Sequence, residues 1–233
     1  MGVVEALLEE IFEGKPSPLL GDFEGWVRDS RRFKTFAGEY RAKIRAKLKQ
    51  ARDEAGMLDL RAELETALTL LKEERFTIEN EKYAALKQRS PDFTVTYKTH
   101  TSFNVEVRRV RRMELDEGEV RDDSARIGKL MAVLCDKVGQ MPPSIVNVLW
   151  LVGDGELLEA DVTRAAITLR ELAERKVEDM FTRRGFASAA DFLKQYRQMS
   201  AIVLRQEKSC RIWVNPLARH KLPNEIGNAL GRL

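Results

Sequence analysis

Apolar residues follow two different periods along this chain, and the change of period outlines the fold. Val4, Leu7, Leu8 and Ile11 recur at helical spacing and predict a short amphipathic helix over 3–13. The stretch "GKPSPLLGD" breaks it. From Asp22 to about Ala55 the helical spacing returns, through Phe23, Trp26, Val27, Phe36, Tyr40, Ile44 and Leu48. Gly56 is read as the interruption, and a new helix follows with Leu60, Leu64, Ala67, Leu68 and Leu71 in a stripe.

Phe76 and Ile78 then alternate with Thr77 and Glu79, the period of a strand. "PDFTVTYKTHTSFNVEVRRV", residues 91–110, reads as two strands and a turn. A charged connection, "RRMELDEGEVRDD", leads to Ser124 as a helix N-cap, and Ile127, Leu130, Met131, Leu134 and Val138 mark the face of that helix. "SIVNVLWLVGDG" is nearly continuous in apolar residues, as a strand covered on both faces must be, and this predicts a central, buried position for 144–152. Helices over roughly 156–181 and 188–198, two strands turning near Lys208 and Ser209, and a short helix after Pro223 complete the chain. The fold class predicted is α/β, with residues 1–55 as an N-terminal helical region and 56–233 as the main domain.

Composition narrows the function classes. With 43% hydrophobic residues among 233, the chain can bury a core, and disorder is excluded as the default. The net charge of +3 permits a nucleic-acid partner without demanding one. The most basic stretch is "RDSRR" to "YRAKIRAKLKQAR", read as a solvated helix face, with a phosphate-binding face as the alternative. Cys135 and Cys210 form no CxxC or Cys/His cluster, which argues against structural zinc. No segment has the length and hydropathy of a membrane span, and "MGVVEALLEEIFEGK" lacks the pattern of a secretory signal. The expectation is a cytoplasmic protein without a membrane partner.

The candidate chemistry lies in the hairpin. By strand parity, Phe93, Val95, Tyr97, Phe103, Val105 and Val107 share one face, and Asp92, Thr94, Asn104, Glu106 and Arg108 share the other. A turn centred on His100 puts Thr94 opposite Glu106 and Asp92 opposite Arg108. Asp92 and Glu106 then stand diagonally, roughly 5–8 Å apart at Cβ, a spacing that can hold a divalent cation. The bland alternative is a half-exposed hairpin with surface salt bridges.

Pro91-Asp92 followed by Glu106-Val107-Arg108 resembles the PD-(D/E)XK nuclease superfamily, whose fold is restriction-endonuclease-like. The surrounding order also resembles that family: a helix and a strand before the Pro-Asp, a helix and a buried strand after the Glu-x-Lys. The resemblance covers roughly residues 57–153. It implies an α-β-β-β-α-β core and a DNA endo- or exonuclease assisted by Mg²⁺ or Mn²⁺. Asp92, Glu106 and the Val107 carbonyl would be metal ligands, with Glu63 added from the first helix. Glu63 lies at the edge of that helix's apolar stripe and Glu65 well outside it, so Glu63 is the better candidate.

Arg108 stands where the family has lysine. Arginine can fork onto a phosphate but cannot act as a base at working pH. Catalysis by Asp92, Glu106 and Arg108 therefore remains one reading. A nucleic-acid-binding or protein-interaction module without cleavage is another. A homodimer joined through the N-terminal helices is a third. His100 and His220 read as surface residues, and "GDGE" at 153–156 as a turn rather than a phosphate loop.

Overall fold

The segments that alternate in sequence assemble into one six-stranded mixed sheet. The computed structural model describes residues 2–82, 90–111, 123–153, 159–206 and 209–233. The strands are β1 (Phe76–Asn80), β2 (Phe93–Tyr97), β3 (Thr101–Val110), β4 (Val146–Gly153), β5 (Ala201–Gln206) and β6 (Ser209–Val214), adjacent in that order. β1, β2 and β3 pair antiparallel, β3–β4 and β4–β5 pair parallel, and β5–β6 is antiparallel. The class is thus α/β with an open mixed sheet.

Helices cover both faces. On one lie α1 (Val3–Phe12), α2 (Leu20–Asp29), α3 (Arg31–Glu39), α4 (Arg41–Gln50), α5 (Glu54–Leu70) and α10 (Asn224–Leu230). On the other lie α6 (Asp123–Val138), α7 (Glu159–Glu174), α8 (Glu178–Thr182) and α9 (Ala189–Tyr196). The unbroken apolar run of β4 follows from this. Val148 and Trp150 face the first layer, Leu149 and Leu151 the second, and all four are fully buried. Asn147, the one polar residue in that run, reaches the carbonyls of Pro142, Ile145 and Gln198 and accepts from Asn104, which in turn accepts from Thr94.

Several boundaries differ from those the periodicity predicts. The stretch 22–55 is three helices, because Ser30 leaves helical geometry and caps Phe33 N, and Tyr40 breaks the chain again. Gly56 does not interrupt a helix. It sits in the first turn of α5, where its N–H donates to the Asp53 cap at 2.7 Å. The stretch 156–181 is two helices, α7 and α8, separated near Lys176, which has left-handed φ of 56°. The connection over 112–122, most of the "GDGE" turn and the turn at Lys208 lie outside the described residues.

The basic stretch is not simply a solvated face. Arg32 donates to the carbonyls of Leu71, Glu73 and Phe76, and Lys43 donates to Asn80 O at 2.6 Å. These cations tie the N-terminal helices to both ends of β1. An aromatic chain from Phe23 through Phe33 and Phe36 to Phe93 continues that packing into the sheet. Among the described residues, no helix is long and apolar enough to cross a membrane.

Because Phe33 is fully buried in a cluster that includes Phe93, Val105 and Trp150, helices and sheet share one core. Phe33→Ala is expected to cost about 3–5 kcal/mol. The loss should appear as one shifted urea transition seen identically by tryptophan fluorescence and circular dichroism. Separate transitions would show that the helices fold independently.

Candidate functional site: the Asp92 cleft

β3 is ten residues long and β2 only five, so β2 leaves its neighbour halfway. The pairing runs from Tyr97↔Thr101 to Phe93↔Val105. This register is two residues from the one a turn at His100 predicts: Thr94 faces Asn104, not Glu106. The turn is the tight Lys98–His100 segment, with Lys98 at left-handed φ of 57° and its N–H bonded to Arg75 O. A shift of two preserves parity, so the apolar faces still coincide. The pairing stops at Phe93, so Asp92 lies beyond the ladder, where strand parity no longer fixes its side, and it does not share a face with Glu106 as the sequence predicts.

Asp92 lies just outside β2, at the point of divergence. Its Oδ2 accepts from Val107 N at 2.8 Å, so a side chain takes up a β3 backbone donor that β2 no longer meets. Its carbonyl accepts from Glu81 N, and Asn80 Nδ2 donates to it as well. Burial pushes the Asp92 carboxyl up to about 8, with the Glu63 and Glu106 carboxylates adding to the effect; the Val107 N–H and Lys47 oppose it.

Glu63 reaches the site from α5, as its place at the edge of the apolar stripe predicts. Glu65 instead turns outward to Arg61. Lys47 Nζ from α4 stands 2.5 Å from Glu63 Oε1 and 2.9 Å from Glu81 Oε1. Burial raises the Glu63 pKa, against the pull of the Lys47 ammonium. Burial also opposes the charge on Lys47, but Glu63, Glu81 and Asp92 outweigh it and hold the ammonium above its ordinary pKa.

Glu106 leaves the opposite side of β3 and pairs with Lys137 of α6 at 2.7 Å. Asp92 therefore sits between two carboxylates, each neutralised by a lysine from the helix layer on its own side of the sheet. Sequence reading missed both lysines. The signal was available: Lys47 follows buried Ile44 by three residues, and Lys137 follows buried Leu134 by three, so both flank an apolar stripe.

Asp92, Glu63, Lys47, Val107 and Arg108 line a cleft of about 320 Å³. Glu106 instead borders a much smaller cavity with Asn104 and Asn147. Arg108 Nε is buried and, among the described residues, has no hydrogen-bond partner. The neighbouring Arg109 is held by Asp59 at 2.8 Å and by Ala55 O. Among the described residues, no three His, Cys, Asp or Glu side chains converge as a ready metal cage. His100 lies in the hairpin turn, and His220 offers its carbonyl to Ser200 Oγ. Both cysteines are buried and unpaired, and burial raises the Cys135 thiol to about 11.

Comparison with protein-family models, with curated proteins and with solved structures finds no match to this chain.

The Asp92 carboxyl is raised, not lowered, by folding, which sets the sign of a pH effect. The folded chain binds this proton more tightly than the unfolded chain. The associated stability is complete below about pH 4, the unfolded carboxylate value, and is lost as pH rises towards about 8. Urea midpoints should thus fall between pH 5 and pH 8, reporting a loss of stability on the order of 3–4 kcal/mol. Asp92→Asn, which can still accept from Val107, should flatten that decline; an unchanged slope would mean another group governs it.

Proposed function

We propose that this chain is a nuclease-like protein of the PD-(D/E)XK kind, with a restriction-endonuclease-like core and the Asp92 cleft directed at a DNA phosphodiester. The observation that carries this reading is the position of Asp92. It is a buried carboxyl at the divergence of two strands, opening on a cleft with Glu63 and three basic residues, Lys47, Arg108 and Arg109. The element order α5–β1–β2–β3–α6–β4, antiparallel through β3 and parallel at β4, supports it.

The donors suit a hard cation. Mg²⁺ commonly binds through only one or two carboxylates and keeps several waters, so a full cage is not required. Asp92 would hold it with Glu63 on the α5 side and the Val107 carbonyl as a further donor, whereas Glu106, turned to Lys137 and the smaller cavity, lies outside this cleft. When bound, such a cation supplies Lewis acidity and an activated water. Arg108 contributes a fixed positive charge for the phosphate and no base. Lys47, held as an ammonium by its carboxylates, adds a second fixed charge.

One observation favours a non-cleaving relative of this design. Lys47 already neutralises Glu63, and Lys137 already neutralises Glu106. A cation must compete with tethered ammonium groups at both, so a nucleic-acid-binding module is the second reading.

Hydrolysis of linear and single-stranded DNA in Mg²⁺ and in Mn²⁺ separates the two. Cleavage should fall on the order of a hundredfold or more in Asp92→Ala. Arg108→Lys should retain or raise it, since lysine restores a compact donor. Cleavage that survives Asp92→Ala would rule out this site. Salt-sensitive DNA binding without hydrolysis in either metal would establish the second reading.

A further inference from the structure

A second groove, of about 330 Å³, runs between the α1–α2 connection and the C-terminal half of α4. Ala51, just past the end of α4, lines both this groove and the Asp92 cleft, so the two are adjacent. The charged residues lining the second groove are Glu13, Lys15, Arg45 and Lys49. All three cations turn to the one carboxylate: Lys15 at 3.2 Å, Arg45 at 3.8 Å and Lys49 at 2.6 Å from Glu13. The next acid on α1, Glu10, is engaged by Arg41. Three cations against the Glu13 carboxylate leave a surplus of two positive charges among the lining residues, reduced to one by Glu9, whose carboxylate lies beside Gly14.

The seam between α1 and α4 could be no more than interhelical ion pairing. Its charge count argues for more, because a single cation already neutralises Glu13. The cations are also accessible, with Lys15 and Lys49 side chains more than half exposed. Leu48 and Met57 supply a partly buried apolar floor, and the one aromatic residue of the lining, Phe12, is buried edge-on against Phe23 and offers no open ring for base stacking. These properties fit a charged backbone better than a base.

We infer that this groove is a track for the sugar–phosphate backbone of a nucleic-acid strand, leading past Ala51 into the Asp92 cleft. The inference rests on the nucleic-acid reading of that cleft. Glu13 acts as an internal stand-in for a phosphate, holding the three cations together until a strand displaces it. Recognition is by charge, so binding is indifferent to sequence.

The test measures affinity of a fluorescent single-stranded DNA of about 20 nucleotides, without divalent cation, across a salt series. Full-length wild type is compared with Lys15→Ala/Arg45→Ala/Lys49→Ala, with Glu13→Gln and with Asp92→Asn. The triple variant should bind roughly tenfold more weakly, with the salt slope reduced by about two. Glu13→Gln, which removes the competing carboxylate, should bind more tightly, and it answers the question even if the triple variant fails to fold. Inorganic phosphate at the same phosphate concentration should not displace the strand; equal displacement would mean a simple anion site and overturn the track. Unchanged affinity and slope in both groove variants would also overturn it. The nuclease reading fails separately: binding that depends on the groove, with no hydrolysis in Mg²⁺ or Mn²⁺, leaves the track standing without the enzyme. Asp92-dependent cleavage with groove-independent binding does the reverse.

Discussion

The hydrogen bond from Val107 N to Asp92 Oδ2 is the constraint on which the site depends. A ten-residue strand beside a five-residue one must leave backbone donors without a ladder partner. Here a carboxylate replaces the missing strand. That substitution keeps β2 and β3 apart beyond Phe93, opens the cleft, and draws an acid into a buried position it would otherwise avoid. The raised carboxyl pKa and the two flanking lysines follow from it.

The charges around this bond are organised by the two helix layers. Lys47 reaches Glu63 from one side and Lys137 reaches Glu106 from the other. Burying several carboxylates together is costly unless each is compensated. The sheet separates the two ion pairs, and Asp92 lies at the gap between them. A site so arranged is held ready by its own cations, and any external cation or phosphate must offer more than they do. The same economy appears at the second groove, where Glu13 gathers three basic groups that would otherwise repel.

Much of the frame was legible because it rests on local periodicity. The buried strand around Trp150, the alternation of β2 and β3, the helix within 188–198 and the short helix after Pro223 all follow from residue pattern. The hairpin register was not legible, since a shift of two keeps the apolar faces together and only the turn geometry distinguishes the alternatives. Helix breaks at Ser30 and Tyr40 were missed because the apolar stripe continues through them.

The sequence by itself determined which residues face the core and which carry charge, because those follow from 3.6- and 2-residue periods within each element. It also marked Asp92, Glu106, Arg108 and Glu63 as chemistry-bearing positions, and it put Glu63 rather than Glu65 at the rim of the α5 stripe. Only tertiary structure decided which charges meet. Lys47 lies 16 residues from Glu63, and Lys137 lies 31 from Glu106. Nothing local links such pairs, because contact between them is set by how the helices dock on the sheet. The role of the basic N-terminal stretch was decided the same way. Its composition suits a solvated face, yet docking turned Arg32, Lys43 and Lys47 inward to backbone carbonyls and buried carboxylates, where the helix ends and the strand divergence left groups that needed a cation.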